Sequence, residues 1–163
     1  MIGILREVRR QHGREHATVA VMLERGARPP LGGNATPGGF FIYSRETTES
    51  VKEAAEEGLR RLQTSQPDLA VSPYCGTNIL VGALIAIAVS SAVGGGSKSI
   101  PKKISSMILG IVVSQFLRRP VGELVQRHLT TLPDSEGVSI KGIKALRIGG
   151  ATIHWVSTGH SPT

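Results

Sequence analysis

Apolar positions are spread along this chain in three different ways. From Ile4 to Arg25 the residues Ile4, Leu5 and Val8, then Val19, Val21, Met22 and Leu23, stand in a strongly basic background. This predicts a helix, with Gly26 as its stop. Residues 27–39 are punctuation (Pro29-Pro30, Gly32-Gly33, Pro37, Gly38-Gly39), and Phe40 to Tyr43 read as a short strand, with Leu31 a remnant of a partner across a turn. A second helix is predicted over 48–63. Thr47 or Thr48 caps it, Glu49 faces the positive end of its dipole, and Val51, Ala55, Leu59 and Leu62 form its stripe. Glu53, Glu56 and Glu57 precede Arg60 and Arg61 at spacings that suit ion pairs on an exposed face.

The middle of the chain changes character. Ile79 to Val93 reads ILVGALIAIAVSSAV with no charge, and Ile104 to Leu117 is a second uncharged run. From Tyr74 to Gly94 is roughly the twenty residues that a spanning helix needs. The second run reaches that length only with Ile100 and with Val121 to Val125, and Pro120 is expected to kink or break it. Gly82, Ala86, Ser90 and Gly110 would let two helices approach closely. The tail then turns to alternation. Val138 to Ile148, a Gly149-Gly150 turn and Ala151 to Thr158 predict a β-hairpin that joins the Phe40–Tyr43 strand in one sheet.

These patterns predict an α+β membrane protein: a two-helix transmembrane hairpin over residues 74–128 and a small membrane-surface α+β part formed by both termini. The contributing regions are a helix–strand–helix stretch, 1–73, and a β-hairpin tail, 129–163. The competing fold is a buried helical hairpin inside a soluble oligomer.

Charge sharpens this picture. The chain carries a formal charge of +7 and only 4% aromatic residues. Basic pairs at Arg60-Arg61, Lys102-Lys103 and Arg118-Arg119 bracket the apolar runs, where membrane-flanking charges belong. Lipid headgroups are therefore the expected partner, and the absence of interleaved aromatics argues against nucleic acid. Arg60, Arg61, Arg118 and Arg119 outnumber Lys98, Lys102 and Lys103 of the connecting loop, which places both termini in the cytoplasm of a multi-pass protein of the cell membrane. The first sixteen residues hold no apolar stretch of signal-peptide length, so the internal runs are expected to act as an uncleaved signal. One cysteine, Cys75, fits a reducing compartment.

The sharpest chemical pattern is His12-x-x-Glu15-His16. On a helix the two histidines share a face one turn apart, a spacing that holds one zinc ion, with Glu15 beside them as general base to a metal-bound water. The order H-x-x-E-H is that of the inverted zinc peptidases. A catalytic centre needs a third ligand. Cys75, His154 and the glutamates Glu53, Glu56 and Glu57 are the candidates, and the plain alternative is that His12 and His16 face solvent or headgroups. Cys75 directly precedes the first apolar run, near a helix N-terminus that favours a thiolate, with Thr77 and Asn78 as the expected capping residues. It can equally pack at a tight turn allowed by Gly76. No Ser-His-Asp arrangement and no phosphate-cradling loop is present.

Glu15-His-Ala-Thr18, Thr36-Pro-Gly-Gly-Phe40 and Leu69-Ala-Val-Ser-Pro-Tyr-Cys-Gly-Thr-Asn78 together resemble a bacterial membrane family, domain of unknown function 6391. They are also similar to an uncharacterised multi-spanning family, called a predicted metal-dependent enzyme on motif grounds, in which H-G-x-E-H precedes H-P-x-C-G-T. The resemblance implies a metal or polar site built from His12, Glu15, His16 and Cys75. Where the related motif has histidine before proline, this chain has Ser72. The function expected is that of a small integral membrane protein, a non-enzymatic subunit that self-associates or joins a larger complex. The alternative is a metal-dependent membrane hydrolase.

Overall fold

A computed structural model describes residues 2–64 and 66–160. The chain divides into two compact units. One runs up to Ser72 and resumes at Leu129; the other is Pro73–His128.

The first unit is a four-stranded antiparallel sheet with two helices. Helix α1 spans Ile2–Glu24. Gly26, at φ 88°, ends it, with its N–H donating to the Leu23 carbonyl and that of Ala27 to the Met22 carbonyl. Strands β1 (Gly32–Thr36) and β2 (Gly39–Ser44) form a hairpin, and helix α2 covers Thr48–Thr64. After the 3₁₀ turn Pro67–Ala70, the chain returns to this unit for β3 (Val138–Ile148) and β4 (Ala151–His160). The sheet order is β1-β2-β4-β3, so the expected joining of the tail hairpin to the Phe40–Tyr43 strand is what the fold shows. Residues 32–36, expected to be loop, form strand β1, which pairs backbone to backbone with β2 despite having no large apolar side chain.

The core follows from these periods. Phe40, Ile42 and Val156 point from the sheet, Val19, Val21 and Met22 from α1, and Val51, Ala54 and Ala55 from α2. The Thr47 hydroxyl caps α2 by accepting the Ser50 N–H at 3.2 Å. Glu57 pairs with both Arg60 and Arg61, Arg61 reaches Glu24 on α1, and Glu53 reaches Arg25. The predicted charged face thus also clamps the two helices together.

The second unit is a helical hairpin of α3 (Gly76–Gly94) and α4 (Ile100–Val125), followed by a π-helical turn, Gln126–Thr130, that leads back to the first unit. Both helices are long and apolar enough to cross a membrane. Pro120 neither breaks nor ends α4; the helix runs five residues beyond it. Apolar helices tolerate an internal proline where neighbouring groups satisfy the freed carbonyl.

The seam of the hairpin is made of small and polar residues. Ser106, Gly110, Ser114 and Gly122 of α4 and Asn78, Val81 and Gly82 of α3 are buried. A side chain at Gly110 would collide with the Ala86 carbonyl. Large apolar residues face outward instead: Ile79 is 70% exposed and Phe116 76%, with Leu84, Ile87, Ile108 and Ile111 also open. Asn78 sits in the seam, its carbonyl accepting from Gln126 Nε2 at 2.9 Å and its amide donating to the Pro73 carbonyl at 2.9 Å.

Candidate functional site

Helix α1 carries the candidate chemistry at its centre, where its residues are most buried. Spacings of three and four residues put His12, Glu15 and His16 on one face. The two imidazole centroids lie 4.3 Å apart, tilted by 57°. Each ring is fixed from outside the helix. His12 Nδ1 lies 3.0 Å from the Thr130 carbonyl oxygen, and His16 Nδ1 lies 2.8 Å from that of Ala70. A carbonyl only accepts, so both rings carry a hydrogen on Nδ1, and in the neutral form of each ring the lone pair is on Nε2. Histidines that ligate metals are oriented in this way.

Gly13 explains how these carbonyls come so near. A Cβ there would lie 2.6 Å from the Leu132 carbonyl oxygen and 3.1 Å from the Ala70 Cβ. The missing side chain admits both the 130–132 segment and the 3₁₀ turn. The Leu132 N–H donates to the Arg9 carbonyl at 2.9 Å, tying the segment to the helix. Buried Arg14 holds the next residues through the Asp134 carbonyl and the Ser135 hydroxyl. Arg10 pairs with Asp134 and holds its carboxyl below the usual range.

Glu15 is buried, 6% exposed, beneath β1. Its carboxylate lies where a side chain on Gly33 would be. Desolvation pushes its pKa up to about 7, against a smaller opposite pull from His12, whose Nε2 is 3.8 Å from Oε2. A carboxyl that titrates near neutrality can accept and return a proton at physiological pH.

Cys75 belongs to the hairpin unit, at the N-cap of α3. Thr77 N–H donates to its sulfur at 3.4 Å, and the thiol donates to the Thr77 hydroxyl at 3.3 Å. Sequence reasoning expected Thr77 or Asn78 as the cap. The helix begins at Gly76, which turns the Thr77 N–H back toward residue 75, so the sulfur takes the role. His12 and His16, on one face of α1, are two donors of the kind that hold a metal ion.

The other candidates for a third ligand lie elsewhere in the first unit. Glu53 and Glu57 form ion pairs with arginines, and Glu56 lines the same charged surface. His154 is fully buried on the core face of β4, in register with Ile42 and Ala145. Desolvation lowers its pKa, with the Ile42 backbone a weaker opposing influence. Among the described residues neither His154 nor the three glutamates join a cluster of metal-ligating groups. Of the flanking charges, Arg60 and Arg61 lie on α2, Lys102 and Lys103 in the first turn of α4, and Arg118 and Arg119 in its last two turns. Sequence reasoning missed Gly13, Gly33 and the carbonyls of Ala70 and Thr130. Of these, only the glycine inside the H-G-x-E-H pattern carried a visible signal.

An antiparallel sheet and an H-x-x-E-H helix in one unit, with an apolar helical hairpin in the other, define an α+β protein with two membrane-length helices. Residues 7–143 match domain of unknown function 6391, and the chain belongs to that family. It is 28% identical over 137 aligned residues to an uncharacterised protein of a Picosynechococcus species, an alignment covering 76% of this chain and 65% of the relative. The chain therefore spans a little under two thirds of that relative's length. No solved structure matches it.

Proposed function

We propose that this is an integral membrane protein, anchored by α3 and α4, whose sheet-and-helix unit works at the membrane surface as a metal-dependent hydrolase. The anchoring rests on the hairpin's inverted surface. A soluble helix pair buries its large apolar residues, whereas this one buries serine and glycine and turns isoleucine, leucine and phenylalanine outward. Nineteen residues of α3 give about 28 Å, close to the thickness of a bilayer's hydrocarbon core. Arg118 and Arg119, with Arg60, Arg61 and the basic helix α1 on the side of the termini, outnumber Lys98, Lys102 and Lys103 of the connecting loop and favour termini on the cytoplasmic side.

The metal reading is carried by one observation: both histidines of the motif donate Nδ1–H to main-chain carbonyls, which directs both Nε2 lone pairs to serve as ligands. His12 and His16 would hold a zinc ion, and Cys75, five residues beyond the Ala70 carbonyl that orients His16, is the third ligand proposed. Two imidazoles and one thiolate leave a fourth position for water, the pattern of catalytic zinc. Such an ion lowers the pKa of bound water and polarises a carbonyl. Glu15 would accept the proton of such a water and pass it to the leaving group. In the metal-free protein burial beneath β1 raises the Glu15 pKa to about 7.

The test is metal analysis of the purified full-length protein, followed by the same measurement on His16→Ala. Near-stoichiometric zinc lost in the variant supports the site; wild-type protein without bound metal sinks it. Anchoring is checked by retention in membranes through an alkaline carbonate wash. The non-enzymatic reading, a subunit of a larger membrane complex or homo-oligomer, is favoured by the broad apolar outer face of α3 and α4. Native cross-linking that yields only monomer counts against it.

A further inference from the structure

The sheet of the first unit has two faces, and its helices cover one. Phe40, Ile42 and Val156 pack there with residues of α1 and α2. Strand alternation turns their neighbours to the opposite face. The register on that face sets Phe41 beside Trp155 and Trp155 beside Lys144; in the next row it sets Tyr43 beside Ile153 and Ile153 beside Leu146. The Phe41 and Trp155 ring centroids lie 4.6 Å apart. Gly39 leaves room for the indole, since a Cβ there would lie 2.9 Å from two of its ring atoms. Phe41 is 37% exposed, Tyr43 41% and Leu146 63%, so the face is open. Lys141 lies along it over Gly159. Among the described residues neither Lys141 nor Lys144 pairs with an acid, and none of the four strands contains aspartate or glutamate.

From this we infer that the open face of the sheet docks on an anionic bilayer surface, with Trp155 and Tyr43 at headgroup level and Lys141 and Lys144 against lipid phosphates. The inference names the surface by which this unit meets the membrane. It rests on the membrane reading above and not on the metal site. Charge selects the occupant first. A sheet face with lysines and no acid calls for a negative partner. A second copy of the face would bring more lysines and no acid to meet them. Composition selects next. A single strand of nucleic acid stacks its bases on aromatic rings and its phosphates on cations, and it leaves the aliphatic Leu146 and Ile153 unmatched. A bilayer interface takes all three kinds of side chain. Tryptophan and tyrosine favour the headgroup level, aliphatic groups enter below it, and lysine stems reach up to the phosphates. Along the chain Phe41, Lys144 and Trp155 stand far apart, so aromatic and basic residues interleave only once the strands pair.

Trp155 is the chain's single tryptophan, so its fluorescence reads this face alone. The full-length protein is reconstituted into phosphatidylcholine vesicles with or without phosphatidylglycerol, the phosphatidylcholine carrying bromine near the headgroup end of its acyl chains. Emission, bromine quenching and acrylamide access are measured at low and high salt, and retention through a carbonate wash is scored on the same sample. With phosphatidylglycerol present, Trp155 emission should shift to the blue and be quenched by bromine, and high salt should reverse most of both. Lys144→Ala, at an exposed position, should lower the ratio of docked to undocked face by about fivefold, and Lys144→Arg should restore it. Retained protein whose Trp155 stays open to acrylamide and unquenched by bromine in both lipids overturns the docking face and leaves the anchor standing. Protein stripped by the wash but quenched before it overturns the anchor and leaves the face standing as a peripheral contact. Trp155 shielded from acrylamide without bromine quenching assigns the face to a second copy, and shielding that appears only with an added single-stranded oligonucleotide assigns it to nucleic acid; either overturns the bilayer.

Discussion

Gly13 and Leu132 approach so closely that the Leu132 carbonyl oxygen lies 2.6 Å from where a Gly13 Cβ would stand. Glycine to alanine inside a helix ordinarily stabilises by about 1 kcal/mol. Here the new methyl meets backbone that cannot rotate away, and overpacking of this kind costs about 1–3 kcal/mol. Gly13→Ala should therefore lower the unfolding temperature and also reduce zinc content, because pushing the 130–132 segment outward withdraws the Thr130 carbonyl from His12. Thermal unfolding in detergent decides it: a variant as stable as wild type removes the close approach as the reason for glycine.

Glu15 gives a prediction with opposite signs for stability and function. Its pKa rises on folding from 4.5 to about 7 because burial disfavours the charged form. The folded state thus binds more protons than the unfolded state between those values, and metal-free protein loses stability as pH rises from about 4.5 through 7. Glu15→Gln keeps the shape and removes the charge. After zinc is stripped with a chelator, the variant should exceed wild type by on the order of 3 kcal/mol at pH above 8 and equal it near pH 4. With zinc restored it should keep the metal and lose hydrolysis. Equal stability at both pH values would show that the carboxylate is better solvated than its burial suggests.

Much of the fold could be read from residue patterns because burial repeats with the period of the element. The 3.6-residue stripe of Val51, Ala55, Leu59 and Leu62 gave α2 and its buried face, and alternation gave β3 and β4. Strand β1 carried no such signal: Gly32-Gly33-Asn-Ala-Thr36 has nothing large to bury, and it is a strand because β2 supplies hydrogen-bonding partners and because Gly33 accommodates Glu15. Pro120 was expected to kink or break α4, and the helix continues through it to Val125. At the site, spacing was enough to place His12, Glu15 and His16 on one face. It could not supply Ala70 and Thr130, 54 and 118 residues away in the chain, which fix the tautomers.

The Asn78–Gln126 pair tests the hairpin. Each side chain is buried, and the 2.9 Å bond between them joins the start of α3 to the end of α4. Gly122 is required beside them, since a Cβ there would run into the Asn78 carboxamide. A double-mutant cycle of Asn78→Ala and Gln126→Ala should return a coupling of about 1 kcal/mol, the scale found for interhelical hydrogen bonds in apolar surroundings. Additive single effects would show that the two amides do not hold the helices together. Gly122→Val should cost more than either, through clash with α3.

His154 should make the sheet acid-sensitive. Its ring is fully buried beside Ile42 and Val156, and burial lowers its pKa below 6.5. The unfolded state then binds a proton before the folded state does. Stability conferred by the neutral ring is complete above pH 6.5 and is lost as pH falls toward the folded-state pKa. Glu15 contributes the opposite slope over part of this range, so the measurement belongs in the Glu15→Gln background. There the unfolding free energy should fall between pH 7 and pH 5, by up to about 1.4 kcal/mol for each pKa unit separating the two states. His154→Leu in the same background should flatten that dependence, because leucine fills the core-facing place without a proton to gain. A slope that survives the leucine would move the acid sensitivity to another group, with the Asp134–Arg10 pair, whose stabilisation is lost only as pH falls below the ordinary carboxylate range, distinguished by its lower midpoint.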